Sequence, residues 1–171
     1  YPAETTEAFL DGHVSAFAFF GGVPLSILYD NTKIAVARIC GDGKRERTRA
    51  FTGLVSHYLF TDRFGRPGKG NDKGKVEGLV KHARSHFMVP IPHAPSFDDF
   101  NDELLRRCRA RQEERAGRHS ETIGTRLLAD LAVMRALPAG QFEPCETRAA
   151  RVSSTALVRY NAHVVVPRVI E

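Results

Sequence analysis

The sequence predicts an α/β protein: a unit of mixed helices and strands, then a helical segment, then the opening strands of a small β-structure. Three observations carry that expectation. Apolar residues recur at helical spacing up to Gly21-Gly22. A short apolar run bounded by breakers follows at 25–29. The C-terminal end, beyond Pro138 and Pro144, carries two short Val-containing runs.

Taken in order, Pro2 followed by Ala-Glu-Thr-Thr-Glu reads as a first helical turn, with acids near the positive end of the helix dipole. Phe9, Val14, Phe17 and Phe20 continue that helix until the glycine pair. Leu25 to Tyr29 suits a buried strand that ends on Asp30-Asn31, and the stretch from Thr32 to Cys40 stays open between helix and strand. Gly41-Asp42-Gly43 is a turn. Phe51, Leu54, Val55 and Tyr58 stand at i, i+3, i+4 and i+7 and predict about three helical turns. Leu59 to Phe64 suits a short edge strand, and the glycine-rich stretch from Gly65 to Asp72 a mobile loop. From Lys73 a helix resumes with Val76, Leu79, Val80 and Ala83 on one face.

Pro90, Pro92 and Pro95 mark a domain edge. Ser96 and Asp99 form a loose capping box for a basic helix reaching about Glu114. A further helix is expected over Thr122 to Ala136, with Leu127, Leu128, Leu131 and Met134 as its stripe. Strands at 156–160 and 164–167 follow, with a turn near Asn161.

Composition narrows the function. A hydrophobic share of 42% and a charged share of 26% over 171 residues suit one folded domain or slightly more, not a disordered chain. No apolar run approaches the roughly 18–20 residues of a membrane span. Cys40, Cys108 and Cys145 are scattered and form no CxxC pair, so neither a zinc site nor a disulfide framework is suggested, and a reduced cytoplasmic setting is expected. No phosphate-binding GxxxxGK[ST] loop exists, so ATP hydrolysis is not expected of this chain.

The net charge of +5 is unevenly spread. One cluster runs from Lys44, Arg45, Arg47 and Arg49 to Arg63, Arg66, Lys69, Lys73 and Lys75; a second lies between Arg106 and Arg118. Clustered cations suit a phosphate backbone, although the second set is interleaved with Glu103, Glu113 and Glu114 and equally fits a solvated helix face. The seven histidines form no ligand-spaced set; His82 and His86 stand at i, i+4 but lack an HExxH frame, which favours surface or DNA-proximal histidines.

Two acids stand out by position. Asp30 closes an apolar strand, and Glu77 lies in the helix that begins near Lys73. Carboxylates brought together from a strand end and a helix would bind hard divalent cations, the ions that serve phosphoryl transfer. Taken alone, the spacing is a weak signal, and the pair reads first as a turn or cap residue and a solvated helix residue.

The surrounding text adds to this. Phe20-Gly21-Gly22-Val23-Pro24, Ile27-Leu28-Tyr29-Asp30-Asn31-Thr32-Lys33, His57-Tyr58 with Phe60, Lys73-Gly74-Lys75-Val76-Glu77 and Phe87-Met88-Val89-Pro90 resemble IstA-type transposases, in the same order and at similar spacing. Tyr160-Asn161 and Val165-Val166-Pro167 resemble the opening of that family's C-terminal β-barrel, so the resemblance covers essentially the whole chain.

The resemblance implies an integrase-like catalytic core of RNase H-like fold over 1–92, cut short at its N-terminal side, a helical linker region over 93–140, and the beginning of a β-barrel over 141–171. It implies that Asp30 and Glu77 are the second and third acids of a DDE triad, with Mg²⁺ or Mn²⁺ as a two-ion cofactor. The activity implied is DNA transposition by 3′-end cleavage and strand transfer. Asn31, Lys73, Lys75, Lys81 and Arg84 are then candidate DNA contacts. The implied partners are double-stranded DNA at the element ends and target, an ATPase helper and further copies of the protein on DNA, in the bacterial cytoplasm at the nucleoid.

The chain departs from the pattern in one respect. The first acid of the triad belongs on a strand upstream of the Pro2 helix, and Asp11 sits within a helix and is no substitute. The chain is therefore expected to be an internal piece of a longer protein, with little strand-transfer activity and doubtful folding on its own. A non-catalytic DNA-binding or helper-docking remnant is the alternative.

Overall fold

A computed structural model describes residues 1, 3–41, 44–65, 74–145, 151–160 and 163–165. Helix α1 spans Thr6–Phe20; the Thr5 hydroxyl accepts the Ala8 N–H at its start. It ends where Gly21 takes φ 68°, a left-handed conformation that glycine adopts without a side-chain clash. Strand β1 (Ser26–Tyr29) follows, then β2 (Val36–Ile39), β3 (Arg45–Arg47), α2 (Arg49–Tyr58) and β4 (Thr61–Phe64). Thr48 caps α2 and also ties its start to the segment leading into β2, donating its hydroxyl to the Ile34 carbonyl at 2.7 Å. Further along lie α3 (Gly74–Phe87), α4 (Phe97–Ala110) with a short 3-10 turn at Arg111–Glu113, α5 (Ile123–Leu131), and the antiparallel pair β5 (Val158–Tyr160) and β6 (His163–Val165). No helix among the described residues is long and apolar enough to cross a membrane. The mixed α/β class matches the expectation.

β1 and β4 run parallel, Ser26 opposite Thr61 and Tyr29 opposite Phe64. Parallel neighbours need a crossover, here the β2–β3 hairpin and α2. The apolar faces of α1 and α2 meet the inward face of this pair in one cluster. Phe51 and Leu54 are fully buried, and Leu10, Val14, Phe17, Tyr29, Val55, Tyr58 and Phe60 surround them. Its aromatic rings meet edge to face, as the ring quadrupole favours: Phe17 on Tyr58 at 4.8 Å and Tyr29 on Phe51 at 5.0 Å between centroids.

Several expectations are corrected. β1 is buried on one face only: Ile27 and Tyr29 turn inward, while Leu28 is 56% exposed. Successive strand residues point to opposite sides, and among the described residues β1 has a single partner strand. The ambiguous stretch before Cys40 resolves as strand β2, because β3 pairs with it; Cys40 donates to the Lys44 carbonyl at 2.8 Å. Residues 42–43 of the expected turn and 66–72 of the expected loop lie outside the described residues.

The basic helix gives way to the 3-10 turn at Arg111 instead of continuing to Glu114. Helix α5 stops at Leu131, five residues early. Here Arg135 exchanges two 2.9 Å backbone hydrogen bonds with Val23, and Met134 lies against Gly22, where a Cβ would meet it at 3.0 Å. The strap continues to Gly140, whose carbonyl meets His57 Nε2 at 2.9 Å, and to Phe142 on the core. Leu79, expected on the apolar face of α3, is 66% exposed. His13 is half-buried, its ring centre 4.6 Å from that of Phe9 with the planes tilted by 60°.

Two consequences can be measured. His13 Nδ1 lies 2.7 Å from the Phe9 carbonyl and Nε2 2.8 Å from the Tyr29 hydroxyl, which suits the neutral Nδ1–H tautomer accepting from Tyr29. Burial lowers the His13 pKa below its ordinary 6.5 and raises that of Tyr29, so the phenol stays the donor. Because the folded pKa is the lower one, the unfolded chain binds the extra proton. The stabilising contribution is therefore complete above pH 6.5 and is lost as pH falls through the depressed value. Melting temperatures at pH 7.5 and 5 should differ more in the parent than in His13→Gln.

The second concerns the tie between β3 and β4. Arg47 grips Asp62 with two parallel hydrogen bonds, Nε to Oδ2 at 2.7 Å and an Nη2 bond to Oδ1, and the Asp62 side chain is only 4% exposed. Arg47→Ala removes both of these charge-assisted hydrogen bonds; urea denaturation should show a loss of about 1.5–3 kcal/mol.

Candidate active site

The parallel pairing brings two chain exits to one edge of the sheet. Asp30 leaves β1 there, and Gly65 leaves β4 beside it, its N–H donating to the Tyr29 carbonyl at 3.0 Å. Asp30 is exposed at this edge, and its Oδ1 accepts the backbone N–H of Asn31 at 2.8 Å. The Asn31 amide faces inward on the same edge. Its Nδ2 donates to the Gly65 carbonyl at 3.1 Å, and its Oδ1 accepts from Arg45 Nε at 3.1 Å. Arg45 Nη2 reaches the same Gly65 carbonyl at 2.8 Å, and its guanidinium lies 6.0 Å from the centre of the Phe64 ring.

Next to this edge a groove of about 510 Å³ is lined by Lys44, Arg45, Arg47, Thr52, Asp62 and Phe64. Its cationic wall comes from β3, whose Arg-Glu-Arg alternation turns successive residues to opposite sides. Glu46 on the other side lies 3.2 Å from Arg38.

Glu77 falls in the first turn of α3, at the N-terminal end that favours a negative charge. The side chains of Glu77 and Lys75, and Lys73 as a whole, lie outside the described residues. Lys81 and Arg84 are exposed further along the helix. Among the described residues, no group of three or more His, Cys, Asp or Glu is placed to hold a metal ion.

The remaining charged candidates are largely engaged with one another. Arg106 and Arg107 both bond Glu103, at 2.7–2.8 Å and 2.7 Å, and these hydrogen bonds hold the Glu103 carboxyl down to about 2. Arg111 bonds Glu114 at 3.1 Å and donates to His82 Nε2 at 2.6 Å. His82 stacks on His86 with ring centres 3.8 Å apart, and His86 Nδ1 meets the His82 carbonyl at 2.8 Å. With Nε2 of one ring and Nδ1 of the other used in this way, the pair is a poor metal chelate.

Sequence reasoning missed Arg45 as an individual residue, because it reads as one cation in a run. The available signal was alternation: Arg45-Glu46-Arg47 follows a Gly-Asp-Gly turn and a β-branched stretch, the pattern of a returning hairpin strand.

No family model matches the chain. It is 35% identical over 167 residues to the transposase for insertion sequences IS1326/IS1353 of Pseudomonas aeruginosa, covering 95% of this chain and 32% of that protein. It is 38% identical over 109 residues to a transposase of Aminobacter aminovorans, covering 64% of this chain and 22% of the relative. It is 36% identical over 103 residues to the transposase for insertion sequence element IS21 of Pseudomonas aeruginosa, covering 60% and 26%. The chain thus spans about a third or less of these relatives. On similarity that runs through nearly all of its length, the chain belongs to the insertion-sequence transposases of the IS21 type.

Proposed function

We propose that residues 1–92 are the C-terminal part of an RNase H-like transposase catalytic core, with Asp30 and Glu77 as two of its metal-binding acids. In this reading 93–140 form a helical linker and 141–171 begin a β-barrel. The complete protein cuts the 3′ ends of its element and joins them to target DNA. The observation that carries the reading is the shared strand edge. An exposed acid closes β1 beside the exit of β4, and the chain runs on from that exit to the helix bearing Glu77.

Asp30 suits the group it would hold: a hard oxygen donor at a strand end, exposed, with its Oδ1 bonded to a backbone N–H. Mg²⁺ or Mn²⁺ held by Asp30, Glu77 and a third acid would supply activation of the attacking oxygen and stabilisation of the leaving oxygen. The chain's own cations have a separate task. Lys73, Lys75, Lys81 and Arg84 hold the DNA backbone against the edge, and each phosphate neutralised releases counterions. An ATPase helper and further copies of the protein complete the assembly on DNA.

A purely DNA-binding role resting on the basic helices receives less support. The arginines Arg106, Arg107 and Arg111 are paired with Glu103 and Glu114.

The test uses the complete protein, an oligonucleotide carrying an element end, and Mg²⁺. Asp30→Asn and Glu77→Gln should each reduce 3′ cleavage and joining to background while gel-shift affinity for the same DNA is retained. Parental cleavage by either variant would refute the assignment of that acid.

A further inference from the structure

The network beneath Asp30 has a job that neither its sequence nor a DNA-contact role for Asn31 describes. We infer that Arg45, acting through Asn31, is a positioning residue that sets the orientation of the Asp30 carboxylate for metal binding. This rests on the reading of Asp30 as a metal ligand.

The geometry is a closed triangle with Asp30 at its outlet. Arg45 reaches two of the corners with one planar fork, Nε to Asn31 Oδ1 at 3.1 Å and Nη2 to the Gly65 carbonyl at 2.8 Å. The third side is Asn31 Nδ2 to the same carbonyl at 3.1 Å. Both polar ends of the Asn31 amide are therefore committed, which immobilises the residue whose backbone N–H is bonded to Asp30 Oδ1 at 2.8 Å. The triangle joins three separate pieces of chain: the residue after β1, the first residue of β3 and the residue after β4. The Arg45 guanidinium carbon lies 6.0 Å from the centre of the Phe64 ring, within reach of a cation–π attraction.

Lysine cannot replace this arrangement. Its single ammonium on a flexible stem lacks the rigid two-pronged geometry that spans the Asn31 and Gly65 oxygens. Groups that orient a metal ligand without touching the ion commonly govern affinity by 10–100-fold. Asn31 on this account spends its side chain on the protein. Its contribution to DNA passes through the carboxylate that it steadies.

The experiment uses the complete protein, with Mn²⁺ as the probe. Free Mn²⁺ is followed by electron paramagnetic resonance during titration, without DNA, for the parent, Asp30→Asn, Arg45→Lys, Asn31→Ser and the Arg45→Lys/Asn31→Ser double variant. Circular dichroism melting confirms that each is folded at the titration temperature. Arg45→Lys should weaken Mn²⁺ binding about 10–100-fold, with gel-shift affinity for DNA unchanged because the positive charge is kept. The double variant should be no weaker than the worse single one, since both act along one route. Unchanged Mn²⁺ binding in Arg45→Lys, or additive losses in the double variant, would overturn the inference. If Asp30→Asn itself leaves Mn²⁺ binding intact, the metal-ligand reading of Asp30 fails first. If Asp30→Asn abolishes binding and Arg45→Lys does not shift it, the positioning role fails alone.

Discussion

The parallel pairing of β1 with β4 is the constraint on which the rest of the molecule depends, because it decides which chain ends share an edge. Parallel strands present both C-terminal ends on one side, so Asp30 and Gly65 emerge together and the hydrogen-bond ladder runs on from Tyr29 to Gly65. An antiparallel pair would put them at opposite ends of the sheet. The apolar cluster secures the register: Tyr29 and Phe64 lie opposite each other and both pack on Phe51, so a slip of one residue would turn these rings to solvent. Core packing and the geometry of the candidate site are thus one problem with one solution.

The charges follow a similar division. On α4, Arg106 and Arg107 are both matched by Glu103 within one turn. Near the edge cations are drawn into structure. Arg47 closes β3 on β4 through Asp62, and Arg45 is taken up by Asn31 and Gly65. A net charge read from composition therefore overstates how much cationic surface a phosphate backbone meets, and the side chains that remain outward, such as Lys81 and Arg84, matter individually.

Much of the fold was legible in the sequence where local chemistry and tertiary packing agree. The i, i+3, i+4, i+7 run from Phe51 to Tyr58 is helix α2, Gly21 ends α1, and Ser96 caps α4. The sequence misled where tertiary contact overrides local preference. Leu127 to Met134 carry a continuous helical stripe, yet α5 ends at Leu131 because pairing with Val23 and the space above Gly22 draw the chain away. β1 looked wholly apolar, and only the register against β4 reveals which of its side chains face out. Of the candidate site, Asp30 was legible as a strand-end acid. The role of Arg45 was not, since its partners Asn31 and Gly65 are distant in sequence and are brought together only by the hairpin and the parallel pair.

The central claim is that Asp30 and Glu77 meet at one divalent-ion site, and anomalous diffraction from crystals of the complete transposase soaked in Mn²⁺ tests it most directly. The account predicts anomalous peaks at the C-terminal edge of β1, about 3.5–4 Å apart if both ions bind, with oxygens of both carboxylates in the coordination sphere. Manganese bound elsewhere, or at Asp30 with the Glu77 carboxylate turned away across the sheet, would contradict it.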